Sequence, residues 1–161
     1  MKTFKSSIDN FFRWVNSSEL VELTDIDVSE DPVRPELDLE WRLSSERKIY
    51  GLKYKDDIEG IICIAYTNEV PITVREMDYM SQVACQDGQS GKIAIAYTVW
   101  SRKRGAGREI IQKVLSHAKE QGIERVITLS PLTPMATHFH IRNGAKQISI
   151  NDTSQNFEYE L

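Results

Sequence analysis

A basic loop with two glycines contains the residues best suited to bind an anion. In the segment SRKRGAGRE, from Ser101 to Glu109, Gly105 and Gly107 can adopt backbone angles closed to other residues. Consecutive N–H groups can then converge on one point where a helix begins, and such a point binds phosphate. The surrounding cations favour a pyrophosphate, in a chain whose formal net charge is -4. These cations are Arg102, Lys103, Arg104 and Arg108.

The spacing of this loop separates it from two other phosphate-binding motifs. A P-loop needs a Gly-Lys-Ser/Thr ending, and the dinucleotide fingerprint would place its third glycine at Ile110. What remains is the pattern Arg102-x-x-Gly105-x-Gly107. A Gly-x-Gly alone is more typical of a solvated turn. This loop lies between a predicted strand and a predicted helix, and that position favours a phosphate-binding site over a solvated turn.

A hydroxyl and an imidazole follow in the next part of the chain. Ser130 ends a predicted strand in the segment TLSP, and His140 stands in the segment FHIRNGA on the next predicted helix. An imidazole has an unperturbed pKa of about 6.5, so it can accept or donate a proton at neutral pH. Structural alternatives stay open, because Ser130 could cap the following helix and a single histidine on a short helix is more often structural than catalytic. Asn143 is interpreted as structural.

The composition indicates one globular domain over residues 1–161. Hydrophobic residues make up 40% and charged residues 27%, which argues against disorder. No apolar run approaches the roughly 20 residues of a membrane helix and the N-terminus lacks an apolar signal core, so we expect a cytoplasmic protein that does not bind membranes. With 20 basic and 24 acidic residues, no nucleic-acid partner is expected. Cys63 and Cys85 have neither disulfide nor zinc spacing, so no metal site is predicted.

Alternating helices and strands must position these groups. Ile8, Phe11, Phe12 and Val15 recur at helical spacing, and the acidic stretch from Asp25 to Pro35 is interpreted as a solvated loop. The other predicted elements are a strand at Val21 to Leu23, a helix rather than a strand at Leu37 to Leu43, strands at Lys48 to Lys55 and Ile58 to Tyr66, a helix after Pro71, a strand at Lys92 to Trp100, a helix closed by Gly122, a strand at Arg125 to Leu129, a helix opened by Thr133 and Pro134, and two strands from Ala145 to Leu161.

The strand, the basic glycine loop and the helix together resemble the coenzyme A pyrophosphate loop of the GNAT acyltransferase superfamily. The resemblance implies an α/β (α+β) fold with a mixed, mostly antiparallel central sheet, a splayed strand pair and helices on both faces. It also implies a cleft between the splayed strands for the pantetheine arm of an acyl-CoA thioester. The implied coenzyme A contacts are Val99, Trp100, Arg102, Arg104, Gly105, Ala106, Gly107 and Arg108.

The helix segment departs from the usual GNAT pattern. His140 stands where a typical member has a tyrosine, and Ala145 replaces the usual phenylalanine. The segments TLSP, FHIRNGA, INDTSQNFEYEL and IAYTNEVP resemble the catalytic domain of malonyl-CoA decarboxylases. This resemblance implies that Ser130 and His140 are the catalytic pair, and that malonyl-CoA is converted to acetyl-CoA and CO2 without a metal.

Three functions are compatible with these motifs. The first is the decarboxylase. The second is an acetyl-CoA-dependent N-acetyltransferase, which would need an amine acceptor and a carboxylate base among Glu22, Glu69 and Asp152. The third is a non-catalytic acyl-CoA-binding module. The acyl group, the acceptor and the oligomeric state stay open at the level of the sequence.

Overall fold

A computed structural model describes residues 18–86, 88 and 91–161. Its strands are β1 (Glu19–Leu23), β2 (Lys48–Tyr54), β3 (Asp57–Thr67), β4 (Ile93–Ser101), β5 (Arg125–Thr128), β6 (Ser130–Pro131), β7 (Lys146–Ile150) and β8 (Ser154–Tyr159). Its helices are α1 (Leu39–Leu43), α2 (Val74–Gln86), α3 (Ala106–Glu120) and α4 (Pro134–Arg142), with a 3-10 turn at Val28–Glu30. The predicted elements that fall within these residues are confirmed. The helix predicted around Ile8 to Val15 lies outside them.

The strands form one mixed sheet. Its order is β1-β2-β3-β4-β5-β8-β6, and β7 pairs with β8. The pairing of β4 with β5 is parallel, whereas the other strand pairs of the described sheet are antiparallel. The chain reaches β5 from β4 through α3, as a parallel connection requires. The predicted fold class is therefore confirmed.

Side chains alternate between the two faces of the central strands and build a core on each face. On β3, Ile62 and Ile64 pack with Ile110 and Val114 of α3. The residues between them, such as Cys63, point to the opposite face and pack with α2. Because both faces are covered, β3 is apolar almost without interruption, and the helices on either side are fixed relative to the sheet.

The parallel pair separates half-way along β4. Its register runs from Ile93 opposite Arg125 to Ala96 opposite Thr128, and the Leu129 N–H donates to the Ala96 carbonyl at 3.0 Å. Beyond that bond β4 stays paired only with β3. The β3–β4 register skips Tyr97, which is a β-bulge, and bulges bend and twist a strand. This bend opens the predicted gap between the splayed strands.

The two helices that border this gap begin as their sequences predict. Gly105 precedes α3 with φ +85, a left-handed conformation that glycine adopts without steric cost. The Thr133 hydroxyl precedes α4 and accepts a hydrogen bond from the Ala136 N–H at 3.2 Å, and Pro134 occupies the first turn. Local capping thus fixes where both helices start.

The prediction that the stretch from Asp25 to Pro35 is a solvated loop is wrong at its centre. Asp31 is 1% exposed, and one of its carboxylate oxygens lies 2.8 Å from a guanidinium nitrogen of Arg42, whose side chain is fully buried. Its other carboxylate oxygen accepts from the Thr98 hydroxyl at 2.8 Å. The loop packs against both β4 and α1, because Thr98 on β4 and Arg42 on α1 bind this carboxylate.

The helices of the described residues are too short or too polar to cross a membrane.

Candidate active site

The gap between β4 and β5 forms a cleft with a volume of about 340 Å³. Its walls are mostly apolar, with contributions from Val33, Leu129 and Phe139. Ser130 and His140, the predicted catalytic pair, both line it, and so do Val99 and Trp100. The structure therefore brings the residues from TLSP and FHIRNGA to one cavity, although they lie on different elements.

The glycine loop lies at the start of α3, beside this cleft. Gly105 has no side chain that could cap the first turn of the helix. The Ala106 N–H donates to the Lys103 carbonyl at 3.1 Å, so the N–H groups that can receive an anion begin at Gly107. Ala106 is fully buried and lies against Gly60 of β3, where a side chain on the glycine would come within 3.3 Å. This contact holds the first turn of the helix against the sheet.

Gly107 joins the loop to the wall of the cleft. A Cβ atom at this position would lie 3.0 Å from a ring carbon of Phe139 and 3.0 Å from the Ser101 hydroxyl. Both distances are shorter than ordinary van der Waals contacts. A glycine is therefore needed at this position for the close approach of α3 to α4. The φ of Gly107 is not positive, so of the two glycines predicted to adopt special backbone angles, Gly105 alone does so.

The cations of the loop differ in their surroundings. Arg102 donates through two nitrogens to the Glu30 carboxylate, at 2.9 Å each, and Lys103 pairs with Glu59 at 3.2 Å. Arg104 and Arg108 are exposed and make no ion pair with the described part of the chain. The unpaired charge at the start of α3 thus comes from Arg104 and Arg108.

Ser130 is held by a neighbouring hydroxyl. Its Oγ lies 2.8 Å from the Thr128 Oγ1, and that oxygen also accepts from the Phe157 N–H at 3.1 Å. Because Thr128 already accepts one hydrogen bond, its own proton can point to Ser130. The Ser130 hydroxyl then keeps its proton for a ligand in the cleft.

His140 is 7% exposed and packed among aromatic rings. Its Nδ1 lies 2.7 Å from the Tyr159 hydroxyl, and ring centroids of Phe139 and Phe157 are 5.1 Å and 5.2 Å away. Burial lowers the pKa of His140 to about 4. The imidazole is therefore neutral at pH 7, and the bond to Tyr159 fixes its orientation. No spacing in the sequence points to Tyr159, which lies on a separate strand, β8.

Carboxylates are scarce in the cleft. Among residues 18–86, 88 and 91–161, Glu30 is the one that lines it, and Arg102 holds this side chain. Of the three bases considered from the sequence, Glu22 on β1 pairs with Lys48, and Glu69 and Asp152 are exposed on turns. None of the three lines the cleft. The same part of the chain contains no cluster of three side chains suited to a metal ion.

A family model decides the relationship of this chain to known proteins. The model of the GNAT acetyltransferase family matches residues 9–145, which is most of the chain. The chain belongs to the GNAT acetyltransferase family. No curated protein matches it by sequence. Membership makes this GNAT protein an enzyme that acts on an acyl-CoA thioester.

Solved structures agree with the GNAT fold. An acetyltransferase of Bacillus subtilis in complex with CoA is 8% identical, with a TM-score of 0.63 over 90% of this chain and 99% of its own. A GNAT acetyltransferase of Elizabethkingia anophelis with acetyl-CoA bound is 11% identical, with a TM-score of 0.57 over 91% and 99%. The malonyl-CoA decarboxylase of Cupriavidus metallidurans is 22% identical, with a TM-score of 0.53 over 77% of this chain and 33% of its own. These likenesses establish the fold.

The lowered pKa of His140 makes a prediction about the stability of this GNAT domain. An unfolded histidine takes up a proton near pH 6.5, whereas folded His140 does so only near pH 4. Between these values the unfolded chain binds more protons, so stability present above pH 6.5 is lost as the pH falls, by about 3 kcal/mol. Urea unfolding at pH 7 and pH 4.5 will show a smaller loss in His140→Asn than in the parent. His138→Asn, which changes an exposed histidine of the same helix, should keep the full loss; equal losses in all three would contradict the assignment.

Proposed function

We propose that this GNAT enzyme decarboxylates malonyl-CoA, forming acetyl-CoA and CO2, with Ser130 and His140 acting on the acyl group. The observation that carries the proposal is the set of chemical groups that line the cleft. It offers a hydroxyl and a neutral imidazole on apolar walls, and the carboxylate that lines it is held by Arg102. Apolar surroundings destabilise a localised carboxylate relative to neutral CO2 and a delocalised enolate, which favours loss of CO2.

Coenzyme A is bound through the glycine loop in this proposal. The N–H groups at Gly105 and Gly107 bind the pyrophosphate, Ala106 holds the first turn against the sheet, and Arg104 and Arg108 supply positive charge. Arg102 contributes when it exchanges Glu30 for a phosphate oxygen. Residues 1–161 act as a single acyl-CoA-binding domain.

Ser130 orients the carboxylate of the malonyl group. Its hydroxyl is free to donate because Thr128 can donate to it in turn, as the hydrogen bond from Phe157 N–H to Thr128 allows. A donated hydrogen bond fixes the carboxylate so that the breaking carbon–carbon bond stands perpendicular to the thioester plane. The electron pair of that bond then passes into the thioester as an enolate, and CO2 leaves. A backbone N–H at Val99 or Trp100 stabilises the enolate oxygen.

His140 supplies the proton that completes the reaction. The free imidazole is neutral, but a carboxylate bound beside it raises its pKa and lets it take up one proton. After CO2 has left, this proton passes from His140 to the enolate carbon, which gives the methyl group of acetyl-CoA. One proton is consumed for each CO2 released, and the imidazole returns to its neutral form.

A second candidate function is transfer of an acetyl group to an amine. Glu30 favours it, because this carboxylate lines the cleft and would be released as a base if Arg102 moved to the pyrophosphate. In the present arrangement Arg102 holds Glu30 through two hydrogen bonds, so the base is already engaged. The decarboxylase uses no carboxylate base, so it does not depend on the release of Glu30.

One incubation separates the two candidates. Purified protein is mixed with malonyl-CoA in the absence of amines, and the coenzyme A species are followed by mass spectrometry. The proposal predicts acetyl-CoA with release of CO2. Unchanged malonyl-CoA contradicts it, and an acetylated product that forms from acetyl-CoA only after a polyamine or peptide is added supports the second candidate.

A further inference from the structure

One hydrogen bond holds the ring of His140 within the described part of the chain. The Tyr159 hydroxyl lies 2.7 Å from Nδ1, and Tyr159 and His140 are 3% and 7% exposed. The two residues lie on different elements, since His140 belongs to α4 and Tyr159 to β8. The geometry points to Tyr159 as a positioning residue that makes His140 a hydrogen-bond donor toward the cleft. The inference rests on the proposed role of His140 and deepens it.

The sheet holds the Tyr159 hydroxyl in place. Tyr159 pairs with Val126 of β5, and Ser130, which follows β5 in the chain, pairs with Gln155 of the same β8. One strand therefore fixes the position of Tyr159 relative to Ser130. Through its hydrogen bond to Nδ1, Tyr159 positions the imidazole relative to the Ser130 hydroxyl.

The direction of the hydrogen bond follows from the partners that each group has. A tyrosine hydroxyl donates one proton, and a neutral imidazole donates through one nitrogen and accepts through the other. Within residues 18–86, 88 and 91–161, the Tyr159 hydroxyl contacts no acceptor except Nδ1. If Nδ1 carried the ring proton, the buried Tyr159 proton would have no acceptor, which is costly. The hydroxyl therefore donates to Nδ1, and the proton of the neutral ring lies on Nε2.

Both groups have the protonation state that this direction requires. Burial raises the pKa of Tyr159, so the hydroxyl keeps its proton at pH 7. Burial lowers the pKa of His140 to about 4, so the free ring is neutral at the same pH. A neutral hydroxyl thus meets a neutral imidazole.

Nε2 is the ring nitrogen that a ligand can reach. It makes no hydrogen bond with a described residue, and it is not sealed from solvent. Because His140 lines the cleft, the accessible side of the ring is the side that faces the cleft. The Nε2–H of His140 and the hydroxyl of Ser130 are therefore both donors toward a bound acyl group.

This arrangement makes His140 an acid and not a base. Two donors stabilise the oxygens of a carboxylate or an enolate, whereas a base needs a free lone pair on the nitrogen that faces its substrate. When the ring takes up a second proton, that proton binds Nδ1. The Tyr159 hydroxyl can rotate and accept a hydrogen bond from it, which a phenylalanine cannot do. The proton that passes to the enolate leaves from Nε2.

Nitrogen NMR of the free protein tests this assignment. Two-bond proton–nitrogen spectra of histidine-labelled protein at pH 7 show which ring nitrogen carries the proton, and the Nδ1 shift shows whether that nitrogen accepts a hydrogen bond. The parent is compared with Tyr159→Phe, which removes one oxygen and keeps the ring. Tyr50→Phe is the matched control, because it removes another buried tyrosine hydroxyl, which lies near His117 and outside the cleft.

We expect parental His140 to carry its proton on Nε2 alone, with Nδ1 shifted as a hydrogen-bond acceptor. Tyr159→Phe should lose that shift and populate the tautomer with the proton on Nδ1, whereas Tyr50→Phe should leave the His140 signals unchanged. A proton on Nδ1 in the parent would overturn the inference. Identical His140 signals in the parent and in folded Tyr159→Phe would overturn it too.

Rates with malonyl-CoA provide a second readout. Tyr159→Phe should lower kcat about tenfold, an effect typical of one lost hydrogen bond, and should change KM little because the acyl group still meets Ser130. Tyr50→Phe should keep the parental kcat. A parental kcat in Tyr159→Phe would overturn the inference, since the hydroxyl would then contribute only to packing. If the parent left malonyl-CoA unchanged, the proposed function would fail, and the spectra would still decide the state of the His140 ring.

Discussion

Replacing His140 by alanine is expected to lower the rate of acetyl-CoA formation from malonyl-CoA by at least about a hundredfold. General acid and base groups typically contribute 10²- to 10⁴-fold, and His140 is the titratable imidazole that lines the cleft. Amine acetylation should fall only modestly, and plain binding of coenzyme A should be nearly unchanged. Initial rates with malonyl-CoA, together with the dissociation constant for coenzyme A, measure the two effects separately.

The alanine variant also removes a packed ring, so a second variant is needed. His140→Asn retains a polar group that can meet the Tyr159 hydroxyl, but it cannot carry a proton to the enolate. It should bind coenzyme A like the parent and, like His140→Ala, show the loss of malonyl-CoA decarboxylation. His138→Ala, on the exposed face of α4, should keep full activity. Decarboxylation by His140→Asn at the parental rate would remove His140 from the mechanism.

The parts of this site that the sequence predicts are local ones. Gly105 and the pair Thr133 and Pro134 fix where α3 and α4 begin, because a positive φ and a capping hydroxyl act within a few residues. The short motifs TLSP and FHIRNGA predict that Ser130 and His140 belong to the site. The structure places both residues on the same cleft, and their catalytic roles stay a prediction.

The contacts that the sequence does not predict are those between residues far apart in the chain. Arg34 meets carbonyls 63 and 95 residues away, and Asp31 meets a hydroxyl 67 residues away. An acidic stretch with two prolines is typical of a solvated loop, and nothing within it signals that one carboxylate has a buried guanidinium to pair with. Tertiary contacts therefore decide which charges of a loop are solvated and which are structural.

Breaking the buried pair of Asp31 and Arg42 is expected to destabilise the domain more than any surface ion pair. Arg42 donates to the Asp31 carboxylate at 2.8 Å and to the Leu37 carbonyl at 2.8 Å, and neither charged side chain is exposed. Removing one partner leaves an uncompensated charge in the core, which costs about 3–5 kcal/mol. Urea unfolding of Arg42→Met and Asp31→Asn should show losses of this size.

A matched surface pair provides the comparison. Lys48 and Glu22 also lie 2.8 Å apart, but their side chains are 40% and 50% exposed. Exposed pairs contribute about 0–1 kcal/mol, so Lys48→Met should change the free energy of unfolding by less than 1 kcal/mol. A loss in Arg42→Met that is no larger than in Lys48→Met would show that the buried pair is dispensable.

The double variant Asp31→Leu/Arg42→Met distinguishes the cost of an unpaired charge from the loss of the pair itself. When both charges are removed, no charge is left buried, and replacing a buried pair by apolar groups is often nearly neutral. The double variant should therefore be more stable than either single variant, a non-additivity typical of groups in contact. A double variant no more stable than Arg42→Met would show that the lost contacts of the pair, and not an unpaired buried charge, account for the destabilisation.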